Sequence, residues 1–329
     1  MKVIITGSNG FVAAHVIEHL LKNTDWEIVG FDKMSDVSKT NNKLMDMDTW
    51  DRYKDRVNIY PIDLNLPVPN LIDKEIGEID YILHLAAESH VDRSIEEPKP
   101  FILNNVTSTL NILEYARKHK ELKMFVNFST DEVYGPAPIG HDFKEFEYHN
   151  PSNPYSASKS AQEAIGIAYS NTYKVPVITT HTMNIFGERQ HPEKFIPMVI
   201  KRVLAGEKVT IHANKDRTKA GTRYYLHARN LADALLHIIG LGYSGYDEWN
   251  IAGLEEVDNL ALAKAIAEFV GKPLKYEMVD FHSSRPGHDL RYALDSSKLI
   301  ASGFSYSKDF RESLKKTVEW TLDRKDDWL

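Results

Sequence analysis

Two short segments carry more chemistry than the rest of the chain. The first is Ser129-Thr130-Asp131-Glu132-Val133-Tyr134-Gly135, in which two hydroxyls precede two adjacent carboxylates. Carboxylates in different surroundings divide into an acid and a base. The second is Pro154-Tyr155-Ser156-Ala157-Ser158-Lys159. Four-residue spacing puts Tyr155 and Lys159 on one helix face. An ammonium beside a phenol favours the phenolate and lowers its pKa. A phenolate near neutrality takes a proton from a substrate hydroxyl as a hydride leaves the same carbon. In isolation, the first segment reads as a solvated acidic turn and the second as a chance spacing. Their neighbours in the chain decide otherwise.

The decisive neighbour is Gly7-Ser8-Asn9-Gly10-Phe11-Val12-Ala13, which follows the apolar run Val3-Ile4-Ile5. Gly7 and Gly10 let a turn tighten and let the backbone approach a pyrophosphate. The helix opening at Phe11 and Val12 then offers unpaired N–H groups and a positive dipole end to that anion. Asp32 closes the second apolar run. An acid there accepts hydrogen bonds from both ribose hydroxyls of NAD and repels a 2′-phosphate, while Lys33 beside it leaves some room for NADP. Asp63-Leu64 ends the third run, where a carboxylate could hold an adenine amino group. Leu85-Ala86-Ala87 ends the fourth, where small residues permit close contact with a cofactor.

These positions need a scaffold that gathers strand ends. Short apolar runs at 3–5, 27–31, 57–60, 81–83 and 124–128 read as strands, and 175–180 as a sixth. Amphipathic stretches at 11–22 and 101–118, and a helix beginning near Tyr155, lie between some of them. This alternation predicts an α/β fold, a doubly wound parallel sheet of Rossmann type, with ligands at the carboxyl ends of the strands. Further helices are expected at 194–204, 230–239, 260–270 and 309–322, with a late strand at Trp249-Asn250-Ile251. The expected division is a cofactor domain of residues 1–182 plus 223–252 and a smaller, mainly C-terminal substrate domain of 183–222 plus 253–329. There is no internal repeat and no low-complexity linker.

Bulk properties narrow the classes. The 329 residues suffice for a sizeable core, and 42% hydrophobic with 26% charged residues is ordinary for a globular protein. A net charge of -7 argues against a nucleic-acid partner. The absence of cysteine excludes disulfides, thiolate metal sites and cysteine nucleophiles. No metal site is expected. No apolar run is long enough to span a bilayer, and the N-terminus lacks a signal-peptide core, so a cytoplasmic protein without a membrane partner is expected.

Together these segments resemble the extended short-chain dehydrogenase/reductase family, and within it the sugar-nucleotide 4,6-dehydratases. The similarity covers nearly the whole chain. It also rests on residues 86–94, on Pro192-Glu193-Lys194-Phe195-Ile196-Pro197 and on Arg285-Pro286-Gly287-His288-Asp289. The Thr-Asp-Glu triplet is its most specific part, since epimerases and decarboxylases of the family usually lack the acid pair. The resemblance implies removal of water from an NDP-glucose, with dTDP-glucose the first expectation, to give a 4-keto-6-deoxy sugar. It implies that Tyr155 takes the C4 hydroxyl proton, that Lys159 holds the ribose and tunes Tyr155, and that Thr130 bonds the C4 oxygen. Glu132 would remove the C5 proton and Asp131 would protonate the departing C6 hydroxyl. Asn104 and Ser129 join the cofactor contacts. Ser89, Asn184, Lys194, Arg223, Arg285 and His288 become substrate contacts, the arginines suiting a diphosphate. A homodimer is implied, through helices at 101–118 and 155–173.

The pattern has departures. Ala13 stands for a third glycine, Ile185 for a second asparagine, and Leu226-His227-Ala228-Arg229-Asn230 for a tyrosine–valine–acid–aspartate run. The stretch 214–221 is longer and more basic than usual. These bear on the nucleotide base more than on the chemistry. A 4-epimerase, a decarboxylase of the same family and a catalytically silent NAD-sensing protein remain the alternatives.

Overall fold

The computed structural model describes residues 1–35, 43–281 and 290–329. Seven strands form one parallel sheet in the order β11-β6-β5-β4-β1-β2-β3. They are β1 (Lys2–Thr6), β2 (Glu27–Asp32), β3 (Val57–Pro61), β4 (Tyr81–His84), β5 (Met124–Thr130), β6 (Val177–Thr182) and β11 (Tyr246–Ile251). All six runs expected as strands, and the late one, lie in this sheet.

The sheet is covered on both faces, which is why its strands read as unbroken apolar runs. Side chains alternate along β1. Val3 and Ile5 pack beneath the helices Phe11–Asn23 and Ala228–Leu241. Ile4 packs on the opposite face, with the helices Pro98–Ala116 and Pro154–Tyr173. All three are fully buried, each worth about 1.5–3 kcal/mol relative to exposure. Trp249 of β11 closes the first layer, which also takes Leu299 and Phe304 from the C-terminal part.

β6 begins two residues later than its apolar run. Pro176 has no N–H to donate to the ladder, although its carbonyl accepts from Phe125 N at 2.7 Å. The strand then continues through Thr179-Thr180-His181-Thr182, all buried. Apolarity did not mark that end because its side chains are polar: Thr182 borders the cavity, and Thr179 and His181 bond to Tyr246 and Glu163.

The smaller, mainly C-terminal region has its own apolar cluster. Ile196, Val199, Val209, Ile211, Leu262, Ile266 and Leu314 meet there. Helices Phe195–Ala205, Asn259–Val270 and Phe310–Asp323 supply much of it. Two-stranded pairs complete this region: β8 (Lys208–Ala213) lies parallel to β13 (Lys275–Asp280), and β9 (Thr222–Tyr224) antiparallel to β12 (Glu256–Asp258). β7 (Ile185–Phe186) pairs with β10 (Leu226–His227) between them. Among the described residues no helix is long and apolar enough to cross a membrane.

Candidate active site

The carboxyl ends of β1, β2, β4 and β5 open on one cavity of about 1080 Å³. It is bordered by Gly7, Gly10, Phe11, Val12, Asp32, Lys33, Asp63, Leu64, Leu85, Ala86, Ala87 and Asn104 from the cofactor set. Ser129, Thr130, Asp131, Glu132, Tyr155 and Lys159 border it as well, with Ser89, Asn184, Lys194 and Arg223 from the substrate set. Ile185, one of the departures, lies on the same wall. Arg285 and His288 lie outside the described residues.

The glycine turn is built for close approach. Gly7 has φ +65, and a Cβ there would meet Ala86 Cα at 3.0 Å, so a side chain is excluded twice over. Gly10 N donates to Gly7 O at 2.8 Å. The helix Phe11–Asn23 that follows has no side-chain cap and no acid in its first turn, leaving its positive end directed to a ligand. Asp32 is buried, with Oδ2 accepting from Asn9 N at 2.9 Å and Oδ1 from Met34 N at 2.8 Å. These features fit a dinucleotide. Lys33 does not stand free for a 2′-phosphate: its ammonium donates to Glu88 Oε1 at 2.6 Å and to Asn104 Oδ1 at 3.2 Å.

At the chemical end, Thr130 Oγ1 donates to Asp131 Oδ1 at 2.9 Å and accepts from Glu132 N at 3.4 Å. Asp131 is buried, and burial, then the Glu132 charge, pushes its carboxyl up to about 7. It is therefore a proton donor near neutrality, beside a second carboxylate. Tyr155 departs from expectation. Its phenol is raised, not lowered: by burial first, then by Glu132 and Asp131, against a hydrogen bond with Thr130. Lys159 does not supply the predicted relief, because its ammonium donates to Phe128 O at 2.5 Å. Burial pulls Lys159 itself down to about 8, with Glu163 opposing.

The substrate set is dispersed around the opening. Lys194 Nζ donates to Ser89 O at 3.3 Å. Arg223 NH1 donates to Thr222 O at 2.7 Å and Leu290 O at 2.8 Å, with its guanidinium 4.7 Å from the Tyr292 ring centre. Of the basic stretch 214–221, only Gly221 borders the cavity. Its exposed middle closes on itself, Asn214 Oδ1 accepting from Thr218 N at 2.8 Å and Lys219 N at 3.0 Å. In the 226–230 departure, His227 pairs with buried Glu188 at 3.4 Å, away from the acid pair.

Some partners were not foreseen. Asn153 caps the helix Pro154–Tyr173, a signal readable as asparagine before a Pro-initiated helix. Ser94 Oγ accepts from Tyr155 N at 3.2 Å. Glu163, one turn beyond Lys159, accepts from Ser129 Oγ. His149 and His181 reach Glu163 from distant segments, and no local pattern announces them.

The family model described as "NAD dependent epimerase/dehydratase family" matches residues 3–252. A dTDP-glucose 4,6-dehydratase of Escherichia coli is 33% identical over 356 aligned residues, covering 100% of this chain and 95% of that protein. One from Salmonella typhimurium is 35% identical, covering 98% and 93%. The structure of a dTDP-glucose 4,6-dehydratase from Streptomyces venezuelae, solved with NAD, superposes with a TM-score of 0.87 at 28% identity, covering 100% and 99% of the two chains. The chain belongs to the NAD dependent epimerase/dehydratase family.

Proposed function

We propose that this protein is an NAD-dependent NDP-hexose 4,6-dehydratase, with dTDP-glucose as the first substrate to test. The observation that carries this reading is the Thr130-Asp131-Glu132 strand end beside Tyr155 on the lining of one cavity, with Asp131 held as an acid near neutrality. An epimerase has no step that needs such an acid pair. The full-length similarity to named dehydratases supports the same choice.

In this reading residues 1–182 plus 223–252 hold NAD and residues 183–222 plus 253–329 hold the sugar nucleotide. The Gly7–Gly10 turn takes the pyrophosphate, Asp32 the ribose hydroxyls, and Lys159 the second ribose. NAD, when bound, would supply the acceptor for the C4 hydride and the donor that returns it to C6 once water has left, while Glu132 gives its proton back to C5. Tyr155 removes the C4 hydroxyl proton as its phenolate, a form that burial, Glu132 and Asp131 disfavour in the chain alone and that the positive nicotinamide ring of a bound NAD would favour; Thr130 holds the C4 oxygen. The resulting ketone acidifies the C5 proton, which Glu132 takes. Asp131 protonates the leaving C6 hydroxyl, so water departs with both bonding electrons. Arg223 and Lys194 place positive charge along the path of a diphosphate.

Incubation with a panel of NDP-hexoses tests the reading. The expected result is a base-labile 4-keto product lighter by one water. A C4-inverted product of unchanged mass would overturn it.

A further inference from the structure

Beneath the Tyr155–Lys159 face lies a buried polar network that no step above uses. Glu163 is fully buried on the helix Pro154–Tyr173, one turn after Lys159. Its Oε1 accepts from Ser129 Oγ. Its Oε2 faces two imidazoles, His181 Nε2 at 3.0 Å and His149 Nε2 at 3.3 Å. His181 comes from β6 and is itself fully buried, with Tyr134 Oη 3.2 Å from its Nδ1. His149 comes from the loop before the helix, and its Nδ1 meets Ser160 Oγ at 2.8 Å.

The same helix therefore grips two successive residues at the end of β5. Lys159 holds the Phe128 carbonyl and Glu163 holds the Ser129 hydroxyl. The next residue is Thr130, followed by the acid pair. A full negative charge one helical turn from a buried ammonium also opposes loss of its proton. The other charged and titratable groups acting on this network are Tyr134 and Glu145 of the loop after β5, and Tyr246 and Glu248 of β11. Burial opposes a charge on His181, and the carboxylates Glu163, Glu248 and Glu145 outweigh it and raise its pKa. That imidazolium and His149 in turn hold Glu163 ionised, down at about 2 despite burial.

We infer that Glu163, held by His181 and His149, is a positioning residue that keeps Lys159 protonated and fixes the Ser129–Thr130 end of β5 against the catalytic helix. It touches neither substrate nor cofactor and acts through Lys159 and Ser129. The inference rests on the dehydratase reading only for the name of the reaction, since the charge coupling is a property of the folded chain itself.

The test is the titration of the Lys159 ammonium by NMR on lysine-labelled protein, assigned with Lys159→Met and compared with Glu163→Gln and Glu163→Asp. The expected result is a Lys159 midpoint lower by about one pH unit or more in Glu163→Gln, largely restored in Glu163→Asp. An unmoved Lys159 midpoint in folded Glu163→Gln overturns the inference. So does failure of both variants to fold by circular dichroism, which would make Glu163 a folding element only. Stoichiometric zinc binding by the wild type, lost in Glu163→Gln, also overturns it, because a cation would then neutralise Glu163. If wild type yields no 4-keto sugar, the dehydratase reading fails, while the Lys159 titration still decides the coupling.

Discussion

Asn153 Nδ2 donates to Glu132 Oε2 at 2.8 Å, while its Oδ1 accepts from Ser156 N at 2.9 Å. One amide therefore starts the helix bearing Tyr155 and orients the carboxylate assigned to C5. The groups proposed for oxidation and for elimination are thus tied together through one side chain. Replacing Asn153 with alanine removes a helix cap, a loss of about 1 kcal/mol, and frees Glu132. Thermal unfolding should show a modest loss of stability. Single-turnover kinetics should show a larger loss in C5 proton removal than in C4 oxidation. Equal losses in the two steps would show that Asn153 only caps the helix.

Tyr155 and Glu132 should separate the half-reactions. Tyr155→Phe removes the hydroxyl proposed to take the first proton, so reduced cofactor should not accumulate. Glu132→Gln should still allow C4 oxidation, trapping bound NADH visible by absorbance. Loss of a general base lowers the rate by about 10²–10⁴-fold, so turnover falls in both. Wild-type exchange of the C5 proton in Glu132→Gln would remove Glu132 from that role.

Asp131 sets an expected pH dependence. In the proposed reaction it must be protonated to give its proton to the leaving hydroxyl, and its carboxyl is raised to about 7 by burial and by Glu132. The elimination step should therefore hold below pH 7 and decline as pH rises through it. Stability follows from the same shift. The folded chain binds this proton more tightly than the unfolded chain does, so stability decreases between the ordinary carboxylate range and pH 7. Each pKa unit corresponds to about 1.4 kcal/mol. Asp131→Asn should raise the melting temperature at pH 8 while lowering turnover; a lower melting temperature there contradicts the buried-charge account.

Cofactor choice should favour NAD. Asp32 is held by two backbone N–H groups at the end of β2, and Lys33 is engaged by Glu88 and Asn104. Binding titrations should show tighter NAD than NADP, and Asp32→Asn should narrow the difference. Tighter NADP binding in wild type overturns the assignment.

Assembly as a C2 dimer is expected through the helices Pro98–Ala116 and Pro154–Tyr173. Leu103 and Leu110 are seven residues apart on the first helix and are 54% and 41% exposed. Light scattering at micromolar concentration should give a dimer, and Leu103→Glu with Leu110→Glu should give a monomer. A monomeric wild type refutes this.

The sequence by itself determined the parallel sheet and the strand ends that bear chemistry. That information is local: apolar runs such as Val3-Ile4-Ile5, a glycine turn, and the four-residue step from Tyr155 to Lys159 are patterns of neighbours. It did not determine the pairing of β8 with β13 or of β9 with β12, whose short strands gain stability only from partners distant in the chain. Nor did it determine the charge state of the site. The Tyr155–Lys159 spacing predicted a lowered phenol, yet the folded chain turns the ammonium to Phe128 O and brings Glu132 and Asp131 toward the phenol. His149 and His181 converge on Glu163 only because the loop before the helix and the polar end of β6 meet there. A pKa depends on every charge within a few ångströms and on exclusion of water, and both come from tertiary packing, not from spacing along the chain.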